Sequence, residues 1–454
     1  MSKTKKNYNN KGGKIIAAGG YGCVFRPMLK CDGKSSRDPN KISKLMTDKH
    51  AIQEHDKINK IKEKLINIPN YKDYFLVYDA TLCRPAKLSS RDLSSFNRKC
   101  TALPKKNITK KNINSKLNQI MALNIPNGGS PIDDYIYENG SYQKIYNVHI
   151  RLMKLLKHGI IPMNRHHIYH SDIKDSNVLI DQSGKTKLID WGLTVEYKPD
   201  PTITFPVNWR NRPLQFNVPF SVIIFTDTFY TKYTKYLKDG GKVNHSDLKP
   251  FMINYLTIWM KERGNGHYKF INEIMYMLYS NELTDVSNKN KPAIIETDVT
   301  IPIIVNYIVD VLVHYTKFKE DGTLNLREYL NSVYIKIVDI WGFINIYFPL
   351  LELLSNNYSS LKENDFKIFT HLKFIFNEYL YKPRHTPIEL NYLFEDLNIL
   401  GNLIHKIKTH NYTIKQPSLT KTKIMTSSKI TKSSIFKRKK LIKKFKNPIL
   451  LTIK

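Results

Sequence analysis

Residues 168–181 read IYHSDIKDSNVLID, and residues 187–192 read KLIDWG. The first run sets a histidine, three aspartates, a lysine and an asparagine among apolar residues. Unpaired charge is expensive to bury, so such a run is either solvated loop or a site whose charges answer a ligand. The residue types favour the site. Asp172 can accept or orient the proton of an attacking hydroxyl, and Lys174 can neutralise a moving phosphoryl group. Asn177 and Asp190 supply oxygen donors of the kind that Mg2+ prefers. They stand 13 positions apart, and the intervening VLIDQSGKTKLI has the form of apolar strand, turn and apolar strand. That pattern predicts a hairpin with both oxygen donors at its base.

Two weaker signals precede this run in the order a nucleotide site requires. AAGGYGCVF (17–25) is a glycine cluster whose backbone could approach phosphates closely, although most such clusters are ordinary turns. Lys44 lies on a β-rich stretch, and Glu54 follows ten positions later on the helical passage DKHAIQEHDKINKIKEKLI. Taken alone, such a pair is more often a surface contact. Ile52, His55, Ile58 or Asn59, and Ile61 or Lys62 give that passage its helical spacing. From residue 15 to about 125, β-branched and aromatic runs alternate with turn residues, which predicts a small sheet. The polar stretch 91–116 reads as a loop insertion. After residue 140 the pattern turns helical, and YQKIYNVHIRLMKLLKHGI is expected to form an amphipathic helix ended by Gly159.

With HSDIKDSN followed by KLIDWG, preceded by AAGGYGCVF, Lys44 and Glu54, the sequence resembles a divergent eukaryotic-type serine/threonine protein kinase. The resemblance runs in order from about Ile15 to Gly192. It implies an α+β, bilobal fold with a small β-rich N-lobe and a large, mainly helical C-lobe. It implies ATP and Mg2+ as cofactors. Asp172 and Lys174 would be catalytic, and Asn177 and Asp190 would hold metal. Ala17, Ala18, Gly19, Gly20, Tyr21, Gly22, Val24, Lys44 and Glu54 would form the ATP site, with Lys41 and Glu63 as the alternatives to the last two. Gly19, Gly22 and Val24 occupy motif positions, whereas Ala17 stands where a glycine is usual. QIMALNIPNGG (119–129) looks like the hinge, with Met121 as gatekeeper. Lys174 points to the Ser/Thr branch, and Trp191 replaces the usual phenylalanine. Ser171 replaces an arginine that usually answers a phosphorylated loop, so activity is expected not to depend on such phosphorylation. FPVNWRNRPLQFNVPFSVIIF (205–225) replaces Ala-Pro-Glu and resembles kinases of large DNA viruses that infect protists. VDIWGF (338–343) resembles the motif of the central C-lobe helix, which makes 226–330 an insertion.

The expected organisation is therefore a basic arm at 1–14, an N-lobe at 15–125, a C-lobe at 126–413 and a disordered basic tail at 414–454. That tail carries thirteen Lys or Arg and no acidic residue. The whole chain has 72 Lys and Arg against 39 Asp and Glu, a formal charge of +33. Such a field favours polyanions, so the expected partners are acidic or nucleic-acid-bound protein substrates, with nucleic acid or an anionic membrane as a contact for the tail. Two rival readings remain: a pseudokinase scaffold, and a basic nucleic-acid-associated interaction protein. The four cysteines form no CxxC pair, which argues against a disulfide framework and for a reducing compartment. IVDIWGFINIYFPLLELL, from Ile337, is broken by Asp339, Pro349 and Glu352 and reads as a buried helix rather than a membrane span. The expectation is a soluble intracellular protein of the cytoplasm, a viral factory or virion, or the nucleus. His166 and His167 are read as structural, as is Trp209.

Overall fold

The computed structural model describes residues 13–34, 36–139, 141–199, 205–264, 266–318 and 324–407. Nearly all of the expected basic arm and the whole of the expected basic tail lie outside the described residues. Lys14–Ala18 (β1), Gly22–Arg26 (β2), Lys41–Thr47 (β3), Thr81–Cys83 (β4) and Ile120–Pro126 (β5) form an antiparallel sheet in the order β1-β2-β3-β5-β4. Side chains alternate across a strand, so β2 and β3 present two faces. Cys23, Phe25 and Leu45 enter a buried cluster with Leu93, Phe96, Leu103 and Ile113. Val24 and Lys44, opposite each other in the register, share the other face.

The 91–116 stretch is not a loop insertion. It folds over the first face of the sheet through short helical turns at Phe96–Lys99, Pro104–Lys106 and Ile113–Ser115. Its apolar residues are too sparse to show a period, yet they converge on the sheet. Arg37 fixes this cap through two hydrogen bonds to the buried Asp92 carboxylate, 3.0 and 2.9 Å long. The cysteines are also paired, contrary to expectation. Cys23–Cys100 and Cys31–Cys83 have Cα separations of 5.4 and 5.7 Å. The partners lie 77 and 52 residues apart in sequence, so no local spacing announces them. Their pairing removes the argument for a reducing compartment.

Helix α1, Asp48–Leu65, packs beneath the sheet with Ala51, Ile58, Ile61 and Leu65 buried. Ile52, expected in that stripe, is 44% exposed, because the buried face runs through Ala51 instead. Past the sheet, Ser130–Pro131 (β6) pairs with Val178–Ile180 (β8), which pairs with Thr186–Leu188 (β9), while Ile168–Tyr169 (β7) pairs with Val195–Glu196 (β10). The remainder is helical. The Tyr142–Leu155 helix does not stop at Gly159; it runs on through a wide turn at Leu156–Ile160 into Ile161–Arg165. The region 226–330 is largely helical, with major helices at Asp227–Lys238, His245–Arg263, Gly266–Tyr279 and Ile301–Tyr315. At the centre of this half lies Ile335–Asn345, every residue of which but Lys336 is buried. The longer helical stretch Arg327–Asn356 is long and apolar enough to cross a membrane, but 94% of its most apolar window is buried inside the protein. It is a core helix, as its interrupting polar residues predict.

Candidate active site

The hairpin expected between Asn177 and Asp190 forms in the register Val178↔Leu188 to Ile180↔Thr186. Asp181 shapes its turn by accepting hydrogen bonds from Ser183 N and Lys185 N. At its base, Ile189 N donates to Asn177 O across 3.0 Å, which sets Asn177 beside the start of Asp190.

Asp172 is 6% exposed and saturated with donors. Lys174 Nζ lies 3.1 Å from Oδ2, and Asn177 Nδ2 donates to Oδ2 at 2.9 Å and to the Asp172 carbonyl at 2.8 Å. Two residues that sequence reasoning did not single out complete the set. Arg212 Nη2 reaches Oδ1 at 3.0 Å and the Ser171 carbonyl at 2.7 Å; Asn217 Nδ2 reaches Oδ1 at 2.9 Å. Burial pushes the Asp172 carboxyl up, but Lys174, Arg212 and the Asn217 hydrogen bond outweigh it and hold the group below the usual carboxylate range. The group is therefore ionised at neutral pH. Its neighbour Asp175 goes the other way: burial, reinforced by Asp133, raises it to about 7.

Across the cleft, Lys44 Nζ meets both carboxylate oxygens of Glu54 at 2.7 Å and lies 3.8 Å from Asp190 Oδ1. Burial lowers the Lys44 pKa, yet Asp190 and Glu54 together raise it above the ordinary value, so the ammonium is retained. Lys41, the alternative lysine, reaches the Asp79 carbonyl instead. Asp190 has a left-handed backbone (φ 63°) and a side chain 47% exposed, directed to solvent rather than tied into the core. The β5 register puts Leu123 opposite Lys44 and Met121 opposite Met46, so Leu123 rather than Met121 flanks the lysine.

The glycine turn connects β1 to β2, with Gly19 N donating to Gly22 O at 2.9 Å. A Cβ on Gly22 would lie 2.4 Å from the Leu45 carbonyl oxygen, so only glycine lets β2 approach β3 this closely. Ala17, Ala18, Gly20 and Tyr21 are exposed at the rim, and the Tyr21 ring packs on His50 with centroids 4.6 Å apart. Val24 is half-buried on the Lys44 face.

The backbone of the loop that carries Asp172 is held by the central helix. His170 N and Ser171 N both donate to the Asp339 carboxylate at 2.8 Å. Asp339 of VDIWGF thus lies directly against the Asp172 loop. A Cβ on Gly342 would stand 2.7 Å from Ile173 O, so the central helix touches the loop directly. The fully buried His170 ring has its pKa lowered to about 4 by burial and is neutral. Its Nε2 donates to Ile189 O at 3.0 Å, and its Nδ1 accepts from Asp172 N at 3.3 Å. Trp191 packs edge-on between His170 and Phe75, at 4.8 and 5.7 Å. Ser171 is buried, with a left-handed φ of 59°, and accepts from Trp209 Nε1 at 2.9 Å. Trp209 is therefore a core residue, as read from sequence. Arg212 and Asn217 left no distinguishing trace in the sequence, because the run 205–225 also carries Asn208, Arg210, Asn211 and Gln215.

Residues 16–210 match the family model of the protein kinase domain. The sheet order, the hairpin and the helical half fit the same architecture. The fold is that of a bilobal protein kinase domain. The match supports a phosphotransferase acting on protein substrates. Elements outside the matched segment also serve the kinase domain, since Asn217 and Asp339 fix the loop that carries Asp172.

Proposed function

We infer that this kinase domain is catalytically active, transferring the γ-phosphoryl group of ATP to serine or threonine hydroxyls in a Mg2+-dependent reaction. The observation that carries this reading is the convergence of two clusters. Asp172, Lys174 and Asn177 form one, and Asp190 with the Lys44–Glu54 pair forms the other, joined at the base of one hairpin.

The donor set fits magnesium. Both of its members are hard oxygen donors: the Asp190 carboxylate and the Asn177 carboxamide, whose nitrogen is already committed to Asp172. When bound, the ion supplies charge neutralisation on the transferring phosphates. Lys44, held by Glu54, carries phosphate charge on the opposite side. Asp172, ionised and fixed on both oxygens, orients the incoming hydroxyl and receives its proton as the O–Pγ bond forms. The bond from Pγ to the β,γ-bridging oxygen breaks, and ADP leaves with that electron pair. Lys174 stands 3.1 Å from Asp172 and offers its ammonium to the moving phosphoryl group. A lysine at this position supports hydroxyl transfer to serine and threonine rather than tyrosine. The excess of positive charge, +33 over the chain, favours acidic protein substrates.

The test is incubation of the full chain with γ-labelled Mg·ATP, using casein and a basic protein as acceptors, followed by phosphoamino-acid analysis. Label on serine or threonine is expected, with Asp172→Ala reduced by at least ~100-fold. A wild type that binds ATP yet transfers no label would instead make the chain a pseudokinase, and label on tyrosine alone would overturn the specificity.

A further inference from the structure

Far from Asp172 in sequence, three histidines gather around one carboxylate. Asp310 and His314 sit one turn apart on the Ile301–Tyr315 helix, so both project from the same side. His385 comes from the connection ahead of the Leu390–Ile407 helix, and its Nδ1 lies 2.9 Å from Asp310 Oδ2. His245, the first residue of the His245–Arg263 helix, brings Nε2 to 3.6 Å from Asp310 Oδ1. One donor atom from each of Asp310, His314 and His385 lies within 4.8 Å of the others. The geometry points to a site for a divalent transition-metal ion, Zn2+ by default, built from Asp310, His314 and His385 with His245 as the fourth donor.

The chemistry of the set is selective. Imidazole nitrogens with a single carboxylate suit Zn2+, Co2+ or Ni2+, whereas Mg2+ and Ca2+ require oxygen donors. Tetrahedral zinc, with donors at 2.0–2.1 Å, holds its ligands about 3.3 Å apart. The observed spread therefore has to contract by roughly an ångström. The His314 and His385 rings are stacked, with centroids 3.5 Å apart and planes at 7°. Two parallel rings cannot both aim a nitrogen in-plane at one ion, so one ring turns about its side-chain bonds on loading. Both side chains are more than a third exposed, which leaves room for that turn.

The surroundings are already ordered. His314 Nδ1 is 2.8 Å from the Asp310 carbonyl, which fixes that nitrogen as a donor and leaves Nε2 for an ion. Tyr315 Oη donates to the His385 carbonyl at 2.9 Å, and Arg384 Nη2 donates to Glu378 O at 2.8 Å, so the connection bearing His385 is pinned on both sides. A bound ion would staple the start of one helix, the C-terminal end of a second and the connection before a third. It would thereby tie the 226–315 helices to the end of the helical lobe. This role is structural and independent of phosphoryl transfer.

The experiment uses the tag-free full chain, stripped by chelator and titrated with Zn2+ and separately with Co2+ by calorimetry. The expected result is a site that the combined variant Asp310→Asn, His314→Ala, His385→Ala lacks, seen as one fewer equivalent bound. His245→Gln should weaken binding by ~10-fold. Co2+ bound to the wild type should show the intense visible bands of four- or five-coordination by nitrogen and oxygen, a readout that does not depend on any variant folding. Stoichiometry unchanged in the combined variant, no binding at ~100 µM metal, or a weak six-coordinate cobalt spectrum would each overturn the assignment.

Discussion

At the level of single residues, Asp172 is held by donors on both carboxylate oxygens. Lys174 and Asn177 come from the same motif and were legible for that reason. Arg212 and Asn217 come from 40 and 45 positions downstream, and no spacing links them to the motif. Arg212 is 3% exposed and supplies a full charge to Asp172, in a chain whose motif position 171 carries serine instead of arginine. Arg212→Gln keeps a hydrogen-bond donor and removes the charge. The Asp172 carboxyl then rises from its lowered value, because burial is opposed by one fewer cation. On the role proposed for Asp172 the ionised carboxylate is the active form, so activity is lost as pH falls through its pKa. The acid limb of the kcat/KM profile should therefore move to higher pH, with little change at high pH. An unmoved limb would show that Arg212 only packs.

Among the secondary-structure elements, the strand–turn–strand pattern alone predicted the 178–188 hairpin, whereas the shared face of Lys44 and Val24 needed the register between β2 and β3. Helices were legible in extent but less so in their ends: Gly159 reads as a stop, yet the chain stays helical through it because the next turns also pack. The cap at 91–116 was illegible for a different reason. Its apolar residues serve a face made by distant strands, so they carry no period of their own. The central Ile335–Asn345 helix acts on the site by direct contact, and Gly342 is its point of closest approach to the Asp172 loop. Gly342→Ala has to displace Ile173 or the helix. The expected effect is a loss of ~1–3 kcal/mol of stability and a fall in kcat larger than any rise in KM for ATP. Steady-state kinetics beside urea unfolding separates the two, and an unchanged kcat would contradict the contact.

Over the whole molecule, the two halves of the cleft are held together by groups on this chain. Lys57 Nζ donates to Gly192 O at 2.8 Å, Lys60 lies 3.3 Å from Glu196, and Lys64 also bonds Glu196. These contacts tie α1, and with it Glu54, to the segment after Asp190. The sheet-rich half has an additional constraint in its disulfides, invisible to sequence because tertiary structure alone sets their spacing. Replacing Cys23 and Cys100 together with serine releases a loop that the nested Cys31–Cys83 bond shortens to about 26 residues. The chain-entropy model puts the loss at about 3.5 kcal/mol, measurable by urea unfolding of oxidised wild type against the variant. Four reactive thiols in the native, unreduced protein would contradict the pairing.

The central claim, that Lys44, Asn177 and Asp190 face one Mg·ATP site, is tested most directly by equilibrium binding of ATP to the purified chain with Mg2+ and with chelator. Binding should weaken by at least ~10-fold without Mg2+, and Lys44→Ala and Asp190→Ala should each weaken the Mg·ATP complex by a comparable factor. Affinity that is indifferent to magnesium and to both substitutions would contradict the account.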